Sequence, residues 1–353
     1  AAVQVLKEGE VQGSDMVAHS AGILDIKTNI LPNADALFLT AIDPYGHELW
    51  RWTFPVNKLN QQTEQLSPLS SRPTYTETEN DLTVKANKRT FIFSKKDGQL
   101  KGVSVDNRKI SFANGPRFIG ARRADRSLDQ FYNHDDEKAK EKDRTYSEFP
   151  DAAVFTKLDV KQDGGDLVVT ANYKLGNLDK AQWTINPSGD LALDYTYNFS
   201  GVVDLMGIRF DYPEDQVISK RWLGAGPYRV WQNRIHGTQY DVWENDYNDP
   251  IPGETFTYPE FKGYFGDVSW MNIQTKEGTI SLTNETPDAY IGVYQPRDGR
   301  DRLLYTLPES GISVLNVIPP VRNKVNSTDL CGPSSQPKWV NGPQTGRVIF
   351  RFM

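Results

Sequence analysis

LDVKQDGGDLVVTANYKLGNLDKAQWTINPSGDLALDYTYN, residues 158–198, decides the fold class of this chain. Apolar and polar residues alternate along Asp166–Tyr173, Ala181–Ile185 and Leu191–Asn198. A period of two sends successive side chains to opposite faces of a strand. The breaks between the runs are Asp163-Gly164-Gly165 and Asn186-Pro187-Ser188-Gly189, residues that tight turns between antiparallel strands demand. The same grammar extends outward. Leu37–Ile42, Leu49–Phe54, Leu82–Ala86, Arg89–Phe93 and Leu158–Val160 read as strands, and Asp97-Gly98, Lys276-Glu277-Gly278 and Arg297-Asp298-Gly299 read as turns. Short strands at regular spacing predict an all-β sandwich. The one helix-friendly run, Asp135–Asp143, has no apolar stripe and reads as a short exposed helix or a loop.

Composition narrows the function classes. A chain of 353 residues exceeds one ordinary core and fits a large β domain with a smaller one beside it. Residues 58–75 are polar, contain two prolines and lack periodicity, so they read as a linker between a first segment, 1–57, and a large domain, 76–353. Net charge is -6, and the densest basic group is Arg117, Arg122, Arg123 and Arg126. A phosphate backbone asks for a broader basic face, so nucleic acid is not an expected partner. No apolar run is long enough to span a bilayer, so no membrane partner is expected either. A single cysteine, Cys331, excludes an internal disulfide. The histidines His19, His47, His134 and His236 are scattered without metal-ligand spacing, so neither metal nor cofactor is expected. The chain starts at Ala1-Ala2-Val3 without Met, as a mature or excised product would. A periplasmic or secreted location is favoured over a cytoplasmic one, although the N-terminus does not itself read out a compartment.

The chemistry concentrates between Trp222 and Trp270. Trp222, Trp231, Trp243 and Trp270 gather there with Tyr228, Tyr240, Tyr247, Tyr258 and Tyr264, interleaved with Arg, Asp, Glu and Asn. Aromatic faces stack on the C–H faces of sugar rings, while carboxylates and amides bond hydroxyls, so the cluster as a whole predicts a ligand-facing surface for a polyhydroxylated ligand. Any single Trp in an all-β chain more often fills the core.

The motifs of this stretch resemble the last domain of family-two glycoside hydrolases, of which β-galactosidase is the best-known member. The matching residues are Gly224, Gly226, Pro227, Arg234, Pro259, Glu260 and the Asp267–Trp270 run; the chain departs at Arg229, Trp231 and Asn233. Phe93–Leu100 resembles that domain's opening strand and turn, and Met206–Phe210 the strand before the Gly-Pro motif. Leu330–Trp339 resembles its late Gly-rich loop, and Gly346–Phe352 its closing strand.

The resemblance implies a galactose-mutarotase-like supersandwich over 76–353, preceded by the closing strands of an immunoglobulin-like module that carry Trp50 and Trp52. It implies a carbohydrate ligand, a β-galactoside or related glycan, and a catalytic TIM barrel on the same polypeptide. It implies Trp339 as an apolar platform under the sugar, with Trp231, Arg234, His236, Trp243 and Glu260 as the other substrate-binding candidates. Retaining hydrolysis needs two carboxylates about 5 Å apart. In the family both sit on the barrel, and this chain lacks the barrel's alternating pattern, so no catalytic residue is expected here. Asp241, Glu244, Asp246, Glu254 and Glu260 are its carboxylates in the aromatic stretch. The alternative is a free-standing carbohydrate-binding module, or a mutarotase or aldose epimerase with His236 the one histidine in the stretch.

Overall fold

The computed structural model describes residues 34, 36–56, 71–123, 146–246, 263–293, 308–320 and 332–353. The chain divides into two compact units, 1–64 and 65–353. Among the described residues there is no α-helix, only two single-turn 3-10 segments, and no helix is long and apolar enough to cross a membrane. The expected run Asp135–Asp143 lies outside the described residues.

The first unit contributes an antiparallel pair, β1 (Ala36–Ile42) and β2 (Glu48–Pro55), which set Leu39 opposite Trp52 and Ala41 opposite Trp50. Asp43 caps the connecting turn, accepting from the backbone N–H of Tyr45 and His47 at 2.9 and 2.8 Å.

The second unit is built from two large antiparallel sheets. The nine-stranded sheet runs, edge to edge, β10 (Val154–Asp163), β11 (Asp166–Lys174), β12 (Leu178–Ile185), β13 (Leu191–Val203), β21 (Lys338–Phe352), β18 (Gly278–Asn284), β17 (Trp270–Thr275), β15 (Val217–Gly226) and β16 (Gln239–Asp246). The ten-stranded sheet runs β19 (Tyr290–Val293), β20 (Ile312–Val317), β14 (Leu205–Asp211), β8 (Ala113–Arg123), β6 (Leu100–Val105), β5 (Arg89–Ser94), β4 (Asp81–Ala86) and β3 (Thr74–Glu77). The short β7 (Arg108–Ile110) and β9 (Tyr146–Glu148) pair with β6 and β8. Thr74 and Tyr75, within the expected linker, begin the edge strand β3.

Alternation explains the layering. Along β11 Leu167, Val169 and Ala171 are fully buried, and along β4 so are Leu82 and Val84. These inward faces meet in one core: Phe93 packs on Trp183 at 6.0 Å, and Phe112 on Phe350 and Phe352 at 5.0 and 5.3 Å. Each fully buried side chain of this size stabilises by roughly 1.5–3 kcal/mol. Charged side chains tie the sheets at their margins. Arg89, 6% exposed, donates from Nε to the Phe352 carbonyl at 2.8 Å and from Nη1 to the Ser188 carbonyl at 2.7 Å. The Glu277 carboxylate accepts from the Ser111 backbone at 2.9 Å, the Ser111 hydroxyl at 2.6 Å and the Tyr212 hydroxyl at 3.0 Å.

Candidate functional site

The motif Gly224-Ala225-Gly226-Pro227 ends strand β15, and its glycines answer to neighbours. A Cβ on Gly226 would lie 2.4 Å from Cδ1 of Trp243, whose half-buried indole rests on this backbone. The chain then leaves the sheet, turns through residues 227–238 and returns as β16. The segment Gly263–Ser269 closes over the strand end: Ala225 N–H donates to the Gly266 carbonyl and Ser269 N–H to the Leu223 carbonyl, each at 2.9 Å.

Most of the tryptophans here face inward. Trp222 is 1% exposed, sits edge-on to Phe265 at 4.9 Å and donates from Nε1 to the Ala225 carbonyl at 3.0 Å. Trp231 is 2% exposed and packs edge-on against Tyr264 at 5.7 Å, within a cluster that includes Ile119, Leu205 and Leu315. Trp270 is buried as well. The expectation that this cluster forms a ligand-facing surface is therefore corrected for these three rings, and Trp231 is a packing residue rather than a surface one. The reason is that the inward faces of β15 and β17, and the turn that packs on them, all need large apolar fillers. Trp243 is half-buried, with its indole N–H on the Gln239 carbonyl at 3.1 Å. Arg229, where the resembled family carries Glu, is buried with its guanidinium 5.1 Å from the centre of the Phe265 ring. Lys220 approaches the same ring at 5.9 Å. Both cations thus use an aromatic face in a dry environment.

What remains on the outside of the turn is Tyr228, Arg234, Ile235 and His236, all exposed. The turn is fastened to a second segment far along the chain. Gln232 donates from Nε2 to the Gln336 carbonyl at 2.7 Å, and Asn233 from Nδ2 to the Ser335 hydroxyl at 3.3 Å. That segment, Gly332–Pro337, leads directly into β21, on which Trp339 stands 71% exposed. The tertiary structure therefore brings the Arg234/His236 turn and the Trp339 segment together, although about a hundred residues separate them. The role of Gln232 and Asn233 as the fasteners is not legible from the motif alone. Glu260 lies outside the described residues, as do Glu254 and the side chain of Asp246. Of the remaining carboxylates in the stretch, Asp241 is half-buried opposite Gly224, and Glu244 is exposed opposite Arg221. Among the described residues no cluster of three or more His, Cys, Asp or Glu could hold a metal ion.

A separate cleft of about 480 Å³ opens where β7, the end of β14 and the start of β20 meet, lined by residues that include Lys109, Asn114, Asp211, Glu214, Glu309 and Ser310. Arg117, from the basic group singled out by composition, is ion-paired with Asp211 behind it. The cleft lies at the Asp211 end of β14. The opposite end of that strand, Leu205, is two residues from Val203, the register partner of Lys338 beside Trp339. At about 3.3 Å per residue the two places are roughly 20 Å apart along the strand. No histidine is among the described residues that line the cleft.

Fold and site together define an all-β sandwich domain with one exposed indole among its described residues, Trp339, at the start of a central strand. The chain belongs to the family described as beta galactosidase small chain, which matches residues 85–319. Its structure is similar to galactose 1-epimerase from Lactobacillus acidophilus, with a TM-score of 0.42 and 10% identity over 80% of this chain and 99% of that one. It is also similar to a GalM/aldose epimerase homologue from C. elegans, with a TM-score of 0.38 and 7% identity over 79% of this chain and 99% of the other. A third similar structure is an amine oxidase from Aspergillus nidulans, with a TM-score of 0.32 and 8% identity over 85% of this chain and 55% of that chain. No curated protein matches the sequence.

Proposed function

We propose that this chain is the non-catalytic region of a retaining β-glycoside hydrolase of the β-galactosidase type. In this reading it packs on a TIM-barrel catalytic domain of the same polypeptide and supplies one wall of the sugar pocket. The observation that carries the reading is Trp339: an indole 71% exposed on a regular strand, at the end of a segment fastened to the Arg234/His236 turn. A bare indole face is a sugar platform in chemical terms, since its ring can stack on the C–H face of a sugar. Membership in a small-chain family supports a place within a larger enzyme. Residues 1–57 then read as the end of an immunoglobulin-like module, with β1 and β2 its last strands, and residues 76–353 as the supersandwich. Arg234 and His236 contribute polar contacts to the pocket rim; Trp243 and Trp231 brace it from within, and Glu260 stays a candidate of the same rim.

The chain supplies no general acid and nucleophile of its own in this reading, since hydrolysis needs two carboxylates in fixed opposition. The isolated chain should not hydrolyse nitrophenyl β-galactoside. Turnover in host-free protein that Glu260→Gln abolishes would sink the proposal. In the complete enzyme Trp339→Ala should raise KM for the galactoside more than it lowers kcat, because the ring binds ground and transition states alike. The epimerase alternative rests on the fold similarity; it needs a base and an acid converging on one sugar, and mutarotation of α-galactose catalysed by the isolated chain would favour it.

A further inference from the structure

Beside Trp339 the outer face of the β13–β21 ribbon carries a polar strip that the proposed pocket does not use. The ladder is regular from Val203↔Lys338 to Leu191↔Phe350, so residues directly opposite share a face. Trp339 lies across from Val202, Asn341 from Ser200, and Pro343 from Asn198. Their neighbours Phe199 and Val340 turn inward against the core, which fixes Trp339, Asn341 and Ser200 on the outward side. Asn341 and Ser200 are exposed, and the Ser200 hydroxyl donates to Oδ1 of Asn341 at 2.8 Å. That bond sets the amide's orientation and leaves both N–H donors of Nδ2 for another acceptor. One ladder step on, Asn198 donates from its own amide to Asp179. An exposed ring followed, two residues along a strand, by an amide held in one orientation is the pattern that a chain of sugars meets as it runs off an aromatic platform. The step between these side chains is about 7 Å.

We infer that Asn341, held by Ser200, forms a second sugar subsite next to Trp339, taking the neighbouring unit of a β-linked oligosaccharide through a hydrogen bond from Nδ2 to a ring or hydroxyl oxygen. The inference rests on the reading of Trp339 as a sugar platform. Asn341 is the binding residue and Ser200 a positioning residue, since it acts only by fixing the amide.

The test compares the affinity of the chain for methyl β-galactoside and for β-1,4-galactobiose by titration calorimetry. One added hydrogen bond should make the disaccharide about threefold to tenfold tighter. Asn341→Ala and Asn341→Asp, which remove the donor with and without loss of size, should bring that ratio to about one and leave the monosaccharide affinity unchanged. Ser200→Ala should lower the ratio partway, again without touching the monosaccharide. A ratio that survives Asn341→Ala, a ratio of one in the unaltered chain, or no binding of the disaccharide would overturn the subsite. Trp339→Ala separates the two claims: if both ligands bind it as they bind the unaltered chain, the platform reading itself fails. If both lose affinity in Trp339→Ala while Asn341→Ala changes nothing, the platform stands and the strip does not.

Discussion

Tryptophan is the residue on which sequence and environment part company most sharply here. Trp222 and Trp339 are the same side chain on two strands of one sheet, yet one is 1% exposed and the other 71%. The difference is the face of the strand each occupies. Trp222 points to the core and fills it against Phe265, so Trp222→Ala should cost about 3–5 kcal/mol through lost burial and the cavity left behind. Trp339→Ala should cost well under that, because no buried contact is broken. Urea unfolding of the two variants checks this directly, and a loss of several kcal/mol at Trp339 would make it a core residue and remove the platform. Gly226 illustrates the same dependence on surroundings. The sequence marks it as part of a motif, and the structure supplies the reason, the Trp243 indole resting where a Cβ would be.

At the scale of elements, two strands in the middle of the ten-stranded sheet leave different room at their glycines. Gly207 lies on β14 between β8 and β20, and a Cβ there would sit 2.2 Å from the Val314 carbonyl oxygen, a backbone atom that cannot turn away. Gly102 on β6 has nothing within 4 Å of the same construction. Gly207→Ala should therefore destabilise by about 1–3 kcal/mol or more through forced strand separation. Gly102→Ala should be neutral, or stabilising by up to about 1 kcal/mol through the unfolded state. Urea midpoints for the pair provide the measurement, and equal effects would mean that the strand spacing at Gly207 relaxes freely. The long strand β21 is the other element that organises the molecule. It pairs with β13 on one side and β18 on the other, carrying Trp339 at its start and the core residues Val348, Phe350 and Phe352 near its end.

The whole second unit keeps a set of tyrosines out of water. Burial pushes the Tyr195 hydroxyl up to about 12, with the nearby Thr286 hydroxyl working the other way, and burial pushes Tyr197 and Tyr264 well above the ordinary tyrosine value of 10.0. The folded state thus holds these protons more tightly than the unfolded chain. Their contribution to stability is complete below the unfolded value of about 10 and is lost as pH rises through the folded values. Alkaline unfolding should begin between about pH 10 and pH 12, with the buried tyrosines ionising together with loss of the β-type circular dichroism. Smooth ionisation of every tyrosine while the fold persists would contradict this. Among the described residues the core of the second unit draws on Leu82 to Phe352, so a chain beginning at Gln65 should fold cooperatively by itself; an insoluble product, or one without a β spectrum, would show that the first unit is required.

The sequence by itself determined the all-β class, because a period of two and Gly-, Asp- and Pro-rich turns are local signals that need no tertiary partner to be read. Strands such as Asp166–Lys174, Arg89–Ser94 and Leu191–Val203 and the turns between them follow from that code, and the Gly-Pro motif was enough to point to the family. Which aromatic residues meet solvent was not readable. Trp231, Trp243 and Trp339 carry the same chemistry in the chain, and their burial depends on which sheet face each strand turns inward and on what packs across the core. Nor could the sequence bring residue 232 to residue 336. The end of β15 and the start of β21 fall at the same end of one sheet, because the intervening pairings through β17 and β18 are all antiparallel, and the segments that follow and precede them meet there. Local patterning fixes elements; long-range pairing fixes which of their side chains can act together.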